Sequence, residues 1–134
     1  MARLPQLVRA AVTYWGTVFA FAFAAGIVRT LWLAPAIGAL AATLIEVPLV
    51  LGVSWWAARR VTMRNRIARR GEALALGLAA FALLMLAEVT LAGALSGESP
   101  GAWLRSLAAP AGAAGLAGQV LFALMPWWVA GRSR

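Results

Sequence analysis

Two glutamates stand inside long apolar runs, Glu46 in LAATLIEVPLVLG and Glu88 in FALLMLAEVTLAGAL. A carboxyl group can take up and release a proton, or hold a cation. In hydrocarbon its charged form costs several kcal/mol, so acids at such positions face other polar groups and often mark proton or substrate paths. Ala42 and Gly38 lie four and eight residues before Glu46. That spacing puts the acid on a stripe of small residues, pointing into a helix bundle or toward a partner chain. Gln119 and Arg29 are the other polar residues in or beside apolar runs that can hydrogen-bond an acid at a distance.

Other chemistry is excluded by composition. The sequence has no cysteine and no histidine, and neither aspartate nor lysine occurs. Thiolate nucleophiles, disulfides and the commonest metal ligands are therefore absent. No pair of the remaining Glu, Ser, Thr, Tyr or Arg residues shows a nucleophile-and-base arrangement, so no enzyme, cofactor or metal is expected.

The elements that must position these groups are membrane helices. Hydrophobic residues make up 63% of the 134 and charged residues only 12%. A chain this small has too little interior to hide that much apolar surface from water. About 20 apolar residues cross a bilayer, and four stretches qualify, at 10–28, 34–57, 73–95 and 110–130. The expected fold is an all-α, four-helix transmembrane bundle in up-down order, with sequential spans as antiparallel neighbours. An arginine-rich loop at 58–71 joins the second and third spans, and an outer loop at 96–109 joins the third and fourth. The first apolar run exceeds a typical signal-peptide core, so it is read as a retained helix. In the outer loop, Ser99 before Pro100 reads as a helix cap and first residue. Trp103, Leu104, Leu107 and Ala108 then fall at helical spacing, as for a short interfacial helix.

Arginine placement gives orientation. Arg3, Arg9, Arg59, Arg60, Arg64, Arg66, Arg69, Arg70, Arg132 and Arg134 fall on one side, and only Arg29 and Arg105 on the other. By the positive-inside rule both termini are cytoplasmic, in a bacterial-type inner membrane. Arg59, Arg60, Arg64, Arg66, Arg69 and Arg70 are expected to meet anionic lipid headgroups. Nucleic acid is not expected, because no aromatics for base stacking interleave these arginines.

Close helix approach is expected along three small-residue stripes: Gly16, Ala20 and Ala24; Ala34, Gly38 and Ala42; Ala111, Gly115 and Gly118. Pro48 and Pro126 lie inside spans and free the carbonyls of Leu44 and Phe122. They are candidates for static bends, for hinges, or for carbonyls offered to a ligand. Thr13, Thr17, Thr43, Ser54 and Thr90 can bond to their own helix backbones.

With the second span starting at Ala34, a rise of about 1.5 Å per residue puts Glu46 roughly 18 Å below the outer surface. Gln119 falls at about 14 Å and Glu88 at about 10 Å. The set then descends as Arg29, Glu88, Gln119, Glu46, a ladder from outside to the middle. One reading pairs Glu88 with Arg29 and leaves Glu46 as a neutral acid bonded to Gln119 or Thr43. The other makes the ladder a proton or substrate path with Glu46 as the titrating group.

Length and span count resemble the small multidrug resistance transporters, dimeric four-helix antiporters with an essential membrane glutamate. That family carries its glutamate in the first span. Here the first span has no acid, and Ile45-Glu46-Val47 lies in the second. No functional residue carries over. The leading expectation is a small membrane protein that acts through helix packing, as a homo-oligomer or a subunit of a larger membrane complex. The alternative is a proton-coupled small-molecule transporter or channel using Glu46 and Glu88.

Overall fold

A computed structural model describes residues 4–132, and every regular element among them is helical. The order is α1 (Leu4–Val28), a π-helical turn (Arg29–Leu33), α2 (Ala34–Ile37), α3 (Ala39–Arg64), α4 (Arg70–Ser96), α5 (Pro100–Ser106) and α6 (Pro110–Arg132). Four units are long and apolar enough to cross a membrane: α1 continuing through α2 as Leu4–Ile37, then α3, α4 and α6.

The end of the first span differs from the sequence expectation. A break was expected at 29–33, but the helix runs through it. The Ala34 N–H bonds to the Arg29 carbonyl, one residue further back than in an α-helix. This widened turn lets the helix continue into Pro35, which has no N–H to give. The chain reverses at Gly38, whose φ of 94° and ψ of 157° suit glycine and almost nothing else. The second span therefore begins at Ala39, not Ala34, and the stripe through Ala34, Gly38 and Ala42 is cut by the turn.

The helices are also not neighbours in simple sequential order. α1 packs on α3 and α4, and α6 packs on the same two. The consecutive helices α3 and α4 thus lie across a diagonal from each other. Their five-residue connection is not a plain hairpin turn. Asn65 Nδ2 donates to the Val61 carbonyl at 2.9 Å, Arg66 takes a left-handed φ of 54°, and Ile67 is buried beneath the bundle. A link that plugs the bundle's end can cross it from corner to corner.

Packing is uneven along the bundle. Ala10, Tyr14, Ala58, Leu76, Ala80, Phe122 and Val129 are nearly inaccessible, and all lie in the half that carries the arginine-rich link. The tightest approach is there: a Cβ on Gly77 of α4 would run into the Ala123 carbonyl of α6. That backbone contact needs glycine. At the opposite end, Ser99 caps α5 by accepting the Ala102 N–H at 3.1 Å, as its place before Pro100 predicts. Thr13, Thr17, Thr43 and Ser54 each donate to the carbonyl four residues earlier at 2.8 Å. Of the three expected small-residue stripes, the one in α1 faces outward, with Ala20 and Ala24 exposed. In α6, Gly118 does mark a close approach, since a Cβ there would come within 2.9 Å of Val47 of α3.

Candidate binding site in the open half of the bundle

Moving the turn to Gly38 changes the depth of every polar residue in the set. Arg29 lies eight residues before Ile37, Glu46 seven after Ala39, Glu88 eight before Ser96 and Gln119 nine after Pro110. At about 1.5 Å per residue all four fall between about 10 and 14 Å from that end. The expected ladder is a single layer. Arg29 is part of it and does not sit at the outer rim.

Within the layer the partners are exchanged relative to expectation. Arg29 Nε forms an ion pair with Glu46 Oε2. Gln119 Nε2 donates to Glu88 Oε1 at 2.5 Å. Thr43 does not serve Glu46, because its hydroxyl is spent on the Ala39 carbonyl. The physical cause is the level: α1 and α3 are joined at Gly38, so residues about equally far from the turn meet. Arg29 and Glu46 are the pair closest to that condition. The side chains of Arg29 and Glu46 keep 35% and 16% of their accessibility, so the pair is shielded on the acid side and reachable on the guanidinium side.

The layer borders a cavity of about 260 Å³ that Arg29, Glu46, Glu88 and Gln119 all line. Leu107, Ala111 and Gly112 line it near the start of α6, and Val50, Leu84 and Phe122 line it toward the packed half. Gln119 Oε1 is buried with no hydrogen-bond partner among the described residues. A buried acceptor without a donor is costly, and here it borders an open space. The cavity thus offers two carboxyl groups, one guanidinium and one free amide oxygen within apolar walls.

Phe122 of the lining is held by a residue that the sequence did not place near the site. Tyr14 is fully buried. Its ring stacks on Phe122 at 4.6 Å between centroids and 7° between planes, and its hydroxyl donates to the Phe122 carbonyl at 2.6 Å. That carbonyl is the one Pro126 leaves without its helical donor. The expected offer to a ligand is taken up inside the chain, across the α1–α6 diagonal. The clue in the sequence was the lone tyrosine beside the helix-internal proline's carbonyl, but pairing them needs the topology. For Pro48, no side chain among the described residues bonds to the freed Leu44 carbonyl.

The arginines of the link do not act as one cluster. Arg59 lies over Trp55 at 5.0 Å and Arg60 over Trp56 at 5.8 Å. Arg70 lies over Trp127 at 4.2 Å and against Gly131 of α6. Arg69 precedes α4 in extended conformation, and Arg66 occupies the left-handed position in the link. Arg60 and Arg64 line a groove together with Arg9 of α1. Arg3 and Arg134, and the side chain of Arg132, lie outside the described residues. Among the described residues, no cluster of three His, Cys, Asp or Glu could hold a metal ion. Comparison with protein-family models, with curated proteins and with solved structures finds no match to this chain.

Proposed function

We propose that this is a four-span protein of a bacterial-type inner membrane, with both termini and the arginine link cytoplasmic. It binds a small cationic solute in the cavity in competition with a proton, and exchanges the two across the bilayer. One observation carries the reading: two carboxyl groups and one guanidinium share a single level and a single cavity. With both acids ionised the site holds a surplus negative charge, which is costly in a low-dielectric setting. A proton or a bound cation removes that surplus, and either one displaces the other. Glu46 is committed to Arg29. Glu88 has a neutral amide for a partner, so it can change protonation state without breaking an ion pair. The exchange role therefore falls on Glu88, with Glu46 and Arg29 shaping the site and Gln119 orienting Glu88. In this orientation the cavity opens toward the outside, while the packed half and the Tyr14–Phe122 stack close the cytoplasmic side. The short helix α5 lies along the outer interface, as an amphipathic helix can.

The alternative role, a packing subunit or homo-oligomer, draws support from exposed apolar residues such as Leu78, Leu86 and Leu95. Lipid covers such residues equally well, and a polar cavity is not needed for packing. The test uses purified protein in nanodiscs with tetraethylammonium as probe. Binding should release a proton into lightly buffered medium and should weaken as pH falls. Glu88→Gln should abolish proton release. No binding by the wild type, or unaltered proton release from the variant, contradicts the proposal.

A further inference from the structure

A second site lies at the other end of the bundle. Arg9 of α1 and Arg60 and Arg64 of α3 line one groove of about 540 Å³, together with Trp56 and Asn65. Among the described residues no carboxylate pairs with any of these three arginines. Glu72, the nearest acid in sequence, opens α4 and is not part of the groove. Three guanidiniums facing one space repel each other unless an anion joins them, and a planar guanidinium suits the two-oxygen face of a phosphate.

The remaining lining indicates which phosphate. From Arg9 the groove runs two helical turns along α1, past Thr13 to Thr17. Both hydroxyls are spent on their own backbone, so this stretch makes no polar demand. Opposite it, Trp56 is half exposed, with Arg60 over its ring. An arginine–tryptophan pair at a helix end marks the headgroup level of a bilayer. A ligand with a phosphate at the arginines and an apolar chain along the α1–α3 seam fits both parts. Inorganic phosphate fits only the first.

We propose that the groove bounded by Arg9, Trp56, Arg60 and Arg64 is a discrete site for an anionic phospholipid, with the phosphodiester on the three guanidiniums and an acyl chain against α1 and α3. This goes beyond a diffuse attraction of the whole link. It recruits Arg9 from another helix and leaves out Arg59 and Arg70, which lie over other rings. The site rests on the membrane reading of the chain but is independent of any transport through the cavity.

Native mass spectrometry of detergent-purified protein titrated with phosphatidylglycerol or phosphatidylcholine tests it. The wild type should retain phosphatidylglycerol in preference to phosphatidylcholine. The triple replacement of Arg9, Arg60 and Arg64 by glutamine should weaken that binding about a hundredfold, at about 1 kcal/mol per arginine. Arg59→Gln should leave it unchanged. If the triple variant does not fold, Arg9→Gln alone should weaken binding about fivefold on the same scale. Two outcomes overturn the proposal: equal retention by the variants, or displacement of phosphatidylglycerol by millimolar inorganic phosphate, which would make this a site for a soluble anion.

Discussion

The two halves of this bundle solve opposite problems with the same residue types. In the half near the arginine link, small residues close gaps: Gly77 admits the Ala123 backbone, and Ala10, Ala58 and Ala80 are sealed. In the other half Gly118 still meets Val47 closely, but Gly115 has nothing within 4 Å where a side chain would begin, and a cavity remains beside it. Membrane helices associate through close backbone approach, not through a hydrophobic drive. A small residue is therefore a contact only where another backbone arrives, and otherwise it is a space. The first half spends Gly77 on cohesion. The second leaves room for four polar side chains that need one another.

That comparison can be broken by substitution. The largest effect should come from Gly77→Leu, whose side chain has no path past the Ala123 carbonyl. A loss of about 3 kcal/mol or more is expected, read as a lowered unfolding midpoint in mild detergent. Tyr14→Phe comes next. It leaves the Phe122 carbonyl with neither a helical donor nor a hydroxyl, at a cost of about 1–3 kcal/mol. In the Pro126→Ala background the helix regains that donor, so the tyrosine change should cost distinctly less. Additive costs in this double-mutant cycle would deny the link between the two residues. The smallest effect belongs to Gly16→Ala, where a Cβ meets open space. Stability should stay within about 0.5 kcal/mol, because surface changes away from special features rarely do more.

Much of this architecture is legible in the sequence. The count of four long apolar helices follows from hydropathy, the Ser99 cap from its place before Pro100, and the inward aim of Glu46 from Ala42 one turn earlier. What stays hidden traces to one turn. Arg29 looks like a residue at the rim of a span, and Gly38 like one more small residue in an apolar run. Hydropathy does not distinguish a glycine that packs from a glycine that reverses the chain. Placing the start of the second span five residues early pushes Glu46 too deep, turns a layer into a ladder and assigns Arg29 to the wrong acid. The diagonal placement of α3 and α4, and the reach of Tyr14 across the other diagonal, depend on how the link at Ile67 packs. No local pattern reports that.

The central claim is that one half is open and the other sealed, and the absence of native cysteine makes this directly measurable. Gly115→Cys and Ala80→Cys would each be exposed to a membrane-impermeant thiol reagent in native membranes. The account predicts rapid labelling of the first, slowed by tetraethylammonium, and none of the second while the protein is folded. Equal labelling of both positions, or protection of both, would contradict it.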